Sequence, residues 1–228
     1  IPVYNETQNI EPTIIFIKDN FFSEDYLISF IDDNSPDGTA SKILSLKEKY
    51  PEIELIQHGK KDGLGSAILF GYLNSKSDYL IGLDADLSQS PKYLHDMYKM
   101  IKNGADMVIG SRYVFGGKVI GKSQLRLIGS VAMNKIASKL LNLNILDISH
   151  TFRIFKKEII SKISTLLKEK GHPSFLIEFT YFAKKNNFKI KEYPIFFIER
   201  SSDRGVSKLS ASKEIIPFLK TILKLINK

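Results

Sequence analysis

Asp84-Ala85-Asp86 sets two carboxylates two residues apart, directly after the apolar run Tyr79 to Leu83. Side chains alternate along extended backbone, so residues 84 and 86 can face the same side. Paired carboxylates with no histidine or cysteine beside them suit a hard, oxygen-loving ion, Mg²⁺ or Mn²⁺. Such an ion keeps several waters and bridges to phosphate oxygens, so the pattern points to a metal–diphosphate substrate. A second acidic pair, Asp32-Asp33, follows Tyr26 to Ile31 and opens the turn that ends at Gly38. Turn and capping chemistry explains Pro36, Gly38 and Thr39. It explains two adjacent acids less well, and a carboxylate there suits a nucleobase or ribose. The stretch Lys60 to Gly65 (KKDGLG) has neither the Walker spacing nor the dinucleotide fingerprint, so Gly63 and Gly65 read as glycines of backbone geometry.

The elements that must carry these residues follow from apolar periodicity. Ile1 to Tyr4 reads as the end of a strand; Tyr26 to Ile31, Ile53 to Gln57, Tyr79 to Leu83 and Asp106 to Ile109 read as strands. Between them, 40–50, 66–75 and 91–103 have helical character, the first capped by Asp37 or Thr39. Repeated alternation of strand and helix implies an α/β fold, a mostly parallel sheet flanked by helices. Ligands of such sheets sit outside the carboxyl ends of the strands. That rule puts Asn5 and Glu6, Asp32 and Asp33, Asp84 and Asp86, and Ser111 and Arg112 on one rim. Beyond Gly117 the pattern changes to helices over 124–143, 158–168 and 175–186, an extended segment over 189–198, and an amphipathic tail over 212–228 that Pro217 should kink or delay.

Composition narrows the class. The 228 residues carry 33 Lys+Arg against 25 Asp+Glu, a formal charge of +8, which favours anionic partners. No cysteine is present, which excludes a disulfide scaffold, a thiolate metal site and a cysteine nucleophile. His58, His95, His150 and His172 lie far apart, without the spacing of a histidine metal pair. His150 reads as a structural histidine. The apolar runs Ile14 to Ile17 and Ile195 to Ile198 are far short of the roughly 20 residues of a membrane span. Lysines scatter along helix faces rather than clustering with aromatics, so a nucleic-acid partner is not expected. A catalytically dead nucleotide-binding scaffold would leave the Asp84/Asp86 pair and the late basic residues without a use.

Seven segments together resemble the dolichyl-phosphate mannose synthases of the family 2 glycosyltransferases: IPVYNE at 1–6, IDDNSPDGTA at 31–40, GLGSA at 63–67, DADLSQSP at 84–91, GSRYVFGG at 110–117, FRIF at 152–155 and SKLS at 207–210. The resemblance implies a GT-A fold over 1–208, with 209–228 an amphipathic helix at a membrane interface. It implies that Pro2, Tyr4, Glu6 and Asp32 hold the nucleoside of GDP-mannose. Asp84, Ala85 and Asp86 would hold diphosphate, sugar and metal (Mg²⁺ or Mn²⁺), with Ser88 a further metal ligand where the family commonly has Gln. Arg112 would contact the diphosphate side, and Arg126 and Ser130, one helical turn apart, the phosphate of a dolichyl (polyprenyl) acceptor. The late motif Arg200 to Lys208 has two extra residues, so Arg200 or Arg204 fills the basic role beside Lys208; Arg200, next to a strand, is favoured. His150-Thr151 stands where the family has smaller residues. Glucose-transferring relatives share most of these motifs, so a UDP-glucose donor is the competing reading. Family members sit peripherally at the cytoplasmic face of a membrane, carry membrane spans, or dock on an anchoring partner subunit.

A phosphate monoester acceptor needs no general base, because its second pKa is about 6 and its oxygen is largely charged at neutral pH. The site must instead offset the charge of two phosphorylated substrates. Arg112, Arg126, Arg200 and Lys208 are the cations for that task. The expected reaction is a direct, inverting displacement at the anomeric carbon. The tail's apolar stripe and lysines suit either a helix in the headgroup plane or a helix packed on the domain.

Overall fold

The computed structural model describes residues 1–21, 25–59, 61–199 and 211–227. The order is β1 (Pro2–Val3), α1 (Ile10–Asn20), β2 (Ile28–Asp32), α2 (Thr39–Leu46), β3 (Ile53–Gln57), α3 (Leu64–Asn74) and β4 (Tyr79–Gly82). Then follow a short 3₁₀ turn, α4 (Leu94–Lys102), β5 (Met107–Ser111), β6 (Lys118–Ile120), α5 (Gln124–Leu140), β7 (Arg153–Lys156), α6 (Lys157–Ile163), α7 (His172–Lys185), β8 (Ile190–Pro194), β9 (Phe196–Ile198) and α8 (Ala211–Ile226).

Strands pair as β1-β2-β3, all parallel, and as β4-β7-β5-β8, in which β7 runs antiparallel to both neighbours. Since β7 opposes both β4 and β5, those two point the same way and end on the same rim. A small parallel pair, β6 with β9, lies beyond Ser111. The expected strand and helix alternation holds up to residue 111, with ends shifted by a few residues. Helix α1 and strands β6 and β7 were not expected from the periodicity.

Side-chain alternation divides the core in two. Met107 and Ile109 of β5, with Leu80 and Phe155, pack against Phe175 and Phe179 of α7 and Ile68 of α3. Val108, with Phe152 and Ile154, packs on the opposite side against Ile10 and Ile14 of α1 and Met97 and Ile101 of α4. Every residue of β5 is buried, as a strand covered on both faces must be. In α8, Phe218, Ile222 and Leu225 join the first core, while Ile216, Leu219 and Leu223 stay exposed. The helix runs through Pro217, whose carbonyl accepts a hydrogen bond from the Thr221 hydroxyl at 3.0 Å. The expected domain boundary at 208/209 lies outside the described residues, as do Arg200, Arg204 and Lys208.

Two glycines fix how α3 seats. A Cβ on Gly65 would lie 2.5 Å from Phe175 Cβ and 2.8 Å from the Lys170 carbonyl oxygen; one on Gly71 would lie 2.6 Å from Ile31 Cγ1. Neither neighbour can retreat without moving backbone or core. Gly65→Ala and Gly71→Ala should each lower unfolding free energy by about 1–3 kcal/mol in urea titrations; wild-type midpoints would show that α3 is less tightly seated than these distances require.

Candidate active site

The strand ends on the rim are tied together by their loops. Val3 pairs with Asp32, and the Asn5 and Glu6 amides donate to Ser35 Oγ at 3.0 Å and Thr39 Oγ1 at 3.1 Å. Asp37 accepts from the Thr7 hydroxyl and the Thr39 hydroxyl, both at 2.6 Å. Burial works to raise the Asp37 pKa, but these hydrogen bonds from Thr39 and Thr7 outweigh it and lower it to about 2. From α1, the Thr13 hydroxyl reaches across to the Ala85 carbonyl at 3.0 Å. The first, second and fourth strand tips thereby form one surface.

Of the residues expected to hold a nucleoside, Pro2 lies in β1, and Lys61 Nζ sits 3.7 Å from the centroid of the Tyr4 ring. Glu6 accepts a hydrogen bond from the Asn9 side-chain amide. Asp32 is buried and takes both the Ser35 amide, at 3.1 Å, and the Ser35 hydroxyl, so its carboxylate shapes its own turn. The neighbouring Asp33 instead meets His58 Nδ1 at 2.7 Å. Desolvation raises the Asp33 pKa, against the pull of that imidazole.

Asp84, Asp86 and Ser88 follow β4. Asp86 Oδ1 accepts the Ser88 amide at 3.0 Å, and Leu87 between them has φ 60°, a left-handed conformation unusual for a branched residue. The turn keeps residues 84–88 local, and Asp84 and Asp86 are close enough to interact electrostatically. Burial, then the Asp86 charge, raise the Asp84 pKa; hydrogen bonds from Gln89 and Thr151 oppose the rise. The Ser88 hydroxyl oxygen is buried and has no hydrogen-bond partner. Two mutually repelling carboxylates and an orphaned hydroxyl form an all-oxygen donor set, which fits a hard divalent cation. Among the described residues no cluster of three His, Cys, Asp or Glu side chains is assembled, so waters and a diphosphate would complete the coordination.

Arg112 follows β5, and its guanidinium is committed to a partner the sequence did not reveal. Nε and Nη2 donate to the two Asp147 oxygens at 2.8 and 2.7 Å, and the Arg112 amide donates to Asp147 at 3.0 Å. Asp147 is fully buried and its loop is anchored by Glu192, which accepts the Leu146 and Asp147 amides at 2.8 and 2.9 Å. Burial works to raise the Asp147 pKa, and Arg112, by charge and by hydrogen bonds, more than offsets it and holds the carboxyl below its ordinary value. Beside the guanidinium, Tyr113 OH and Ser130 Oγ are 2.7 Å apart, and Arg126 is exposed on the first turn of α5. Lys122, just before α5, was not singled out in sequence. Its pKa is lowered by burial and then by the Arg112 charge, against the pull of Glu199 and Asp147, with a smaller push from Arg126, so cations and carboxylates are mixed at this corner.

Residues 1–164 match the family described as Glycosyl transferase family 2. The chain is 36% identical over 217 residues to a polyprenol monophosphomannose synthase of Mycolicibacterium smegmatis, covering 93% of this chain and 80% of that one. It is 34% identical over 234 residues to a dolichol-phosphate mannosyltransferase of Pyrococcus furiosus, covering 99% of this chain and 62% of that protein. Similar solved structures include a mannosyltransferase from Pyrobaculum calidifontis in complex with GDP-Man and Mn²⁺ (TM-score 0.68, 18% identity, 100% of this chain and 63% of that one). Another is glucosyl-3-phosphoglycerate synthase from Mycobacterium tuberculosis with Mn²⁺ and UDP-glucose (TM-score 0.70, 14% identity, 99% and 78%). The architecture is the GT-A fold.

Asp147→Asn should cost about 3 kcal/mol of stability at neutral pH, because it leaves a buried guanidinium short of a counter-charge. The folded-state pKa of Asp147 is depressed. Its contribution is therefore present above the unfolded carboxylate value of about 3.9 and is lost as pH falls through the folded-state value. Urea unfolding of both proteins across that window should show the gap closing in acid; a gap that stays constant would mean the pair is not what stabilises this corner.

Proposed function

The chain belongs to glycosyl transferase family 2, and from that premise we propose that it transfers mannose from GDP-mannose to a polyprenyl phosphate, dolichyl phosphate included, at a membrane surface. The observation that carries the reading is a pair of interacting carboxylates, Asp84 and Asp86, with Asp84 electrostatically coupled to Arg112, on the same rim as a basic corner of Arg112, Lys122 and Arg126 into which Asp147 and Glu199 also reach. The first suits a nucleoside diphosphate, the second a phosphate monoester. The relatives at 34–36% identity are named for mannose transfer to polyprenol and dolichol phosphates, which supports the choice of sugar and acceptor. The fold does not discriminate donors, since structures of this fold hold GDP-Man in one case and UDP-glucose in another.

Asp84, Asp86 and Ser88 would hold Mg²⁺ or Mn²⁺, which when bound stabilises the departing diphosphate as a Lewis acid. The remaining work falls to the chain. Tyr4, backed by Lys61, with Pro2, Glu6 and the Asp32 turn, forms the nucleoside wall. Arg112 lies on the diphosphate side, Lys122, Arg126 and the Tyr113–Ser130 pair position the acceptor phosphate, and together they offset the repulsion between the two substrates. The acceptor oxygen, already charged near neutral pH, attacks the anomeric carbon. The bond to the donor's β-phosphate oxygen breaks, and GDP leaves with the electron pair. A single displacement inverts the anomeric configuration and needs no general base.

A lipid acceptor gives the exposed apolar faces a use. On α5, Leu125, Ile128, Ile136 and Leu140 are exposed along one stripe that starts beside Arg126. On α8, Ile216, Leu219 and Leu223 are exposed opposite the face that joins the core. Lysines flank both stripes, at 135 and 139 and at 220 and 224. An amphipathic helix of this composition lies in the headgroup plane of an anionic membrane. No helix among the described residues is long and apolar enough to cross a membrane; the mode proposed for the described faces is contact with a membrane surface or with an anchoring subunit that covers them.

Radiolabelled GDP-mannose or UDP-glucose incubated with dolichyl or undecaprenyl phosphate tests the reading by organic extraction of labelled lipid. The expected product is a mannolipid that is lost with EDTA and reduced by about two orders of magnitude or more in Asp86→Asn. A glucolipid from UDP-glucose alone would transfer the assignment to the other donor, and no labelled lipid from either would reject it. Leu125→Glu with Ile128→Glu should weaken co-sedimentation with anionic vesicles several-fold while leaving the melting temperature within a few degrees; undiminished binding would remove α5 from the membrane face.

A further inference from the structure

We infer that His150, Gln89 and Thr151 form a clamp that sets the direction of the Asp84 carboxylate, which makes His150 a positioning residue for the cation site. The inference rests on the reading of Asp84 and Asp86 as that site.

Gln89 grips residue 84 twice. Its Nε2 donates to Asp84 Oδ2 at 2.6 Å, and its Oε1 accepts the Asp84 amide at 3.2 Å. The second Nε2 proton faces His150 Nε2 at 3.4 Å. His150 Nδ1 lies 2.6 Å from the Gly110 carbonyl oxygen, which can only accept. The ring therefore carries its proton on Nδ1 and offers Nε2 as the acceptor that Gln89 needs. A chain of directed hydrogen bonds runs from the β5 tip through His150 and Gln89 to the β4 tip. Gln89 and His150 are 2% and 3% exposed, so bulk water cannot substitute for either. Thr151, 1% exposed, adds its own hydroxyl to Asp84.

The clamp is itself held. Arg153, fully buried in β7, donates from Nε to the His150 carbonyl at 3.0 Å, from Nη2 to the Ile148 carbonyl at 3.4 Å, and from Nη1 to Thr180 Oγ1 at 3.1 Å. The Phe197 ring packs edge-on against His150 at 5.6 Å, and its backbone bridges Gln89. Two like charges at 84 and 86 would otherwise turn apart. With Asp84 fixed near Asp86, a bound divalent cation would relieve their repulsion. His150-Thr151, the step where the resembled family has smaller residues, is the part of this chain that does the fixing. Ligand-orienting partners of this kind are typically worth 10–100-fold in metal affinity.

The test is calorimetric titration of GDP into the full chain, once in excess Mn²⁺ and once in EDTA. The ratio of the two dissociation constants is the metal-dependent gain. His150→Leu removes the acceptor and should shrink that gain by about 10–100-fold with the EDTA value unchanged. His150→Gln, which can again accept from Gln89, should recover most of it. Thr151→Val, nearly isosteric and the variant safest for folding, should reduce the gain several-fold. Equal losses in Mn²⁺ and EDTA would mean a merely structural histidine and would overturn the inference. So would a full gain in both His150→Leu and Thr151→Val while Asp86→Asn abolishes it, in which case the cation site stands without the clamp. A wild-type chain with no gain at all would sink the cation site itself.

Discussion

Two carboxylates held side by side at a half-buried strand tip repel one another, and most of the rim is built around that repulsion. Burial makes the cost larger, since the low dielectric leaves less water to screen the pair. The turn at Leu87 keeps the carboxylates together at the expense of an unfavourable backbone conformation. Strain of this sort persists only where the surroundings impose it. Here Thr13 fixes the Ala85 carbonyl, Gln89 fixes Asp84, and the Ser88 amide fixes Asp86. The two carboxylates and the buried, unbonded Ser88 hydroxyl are the donors of the proposed cation site.

The positive side of the rim is organised by the opposite logic. Arg112 does not stand free; a fully buried Asp147 takes two of its donors and orients it, and Glu192 fixes the loop that delivers Asp147. The ion pair sets a direction for the guanidinium's remaining edge, at the cost of some of its charge. Lys122 and Arg126 restore that charge at the entrance to α5. Carboxylate repulsion and cation repulsion thus lie next to each other; in the proposed reading a divalent cation would relieve the first and an anionic phosphate the second. Direct transfer between two phosphorylated molecules needs that arrangement, and the apolar stripes of α5 and α8 give a greasy acceptor a way to reach it.

Much of this was legible beforehand. Alternating apolar runs placed the strands, and the rule that ligands sit at strand carboxyl ends placed Asp32, Asp84 and Arg112 on one rim. Helix α1 escaped because Pro12 and the run Ile14-Ile15-Phe16-Ile17 look like strand and breaker, while its real helical face is defined only by burial against Val108 and Ile154. Strand β7 escaped because Arg153 opens it; a guanidinium in a central strand is tolerable here because the carbonyls of His150 and Ile148, in the segment that leads into the strand, and the Thr180 hydroxyl accept its hydrogen bonds. The same holds for side-chain roles. That Asp32 is spent on Ser35, that Asp33 turns to His58, and that Arg112 meets a carboxylate 35 residues away are long-range or rotameric facts with no local signature. The orphaned hydroxyl of Ser88 is another, visible only once its surroundings are filled.

The central claim is that Asp84, Asp86 and Ser88 bracket a divalent cation that bridges to a nucleoside diphosphate. Anomalous diffraction at the manganese edge, from crystals grown with GDP and Mn²⁺, tests it without reference to turnover. The account predicts a single strong peak lying between these three side chains and the GDP diphosphate, with the Leu87 turn retained. A peak elsewhere, or GDP bound on the rim with no manganese beside Asp84 and Asp86, would contradict it.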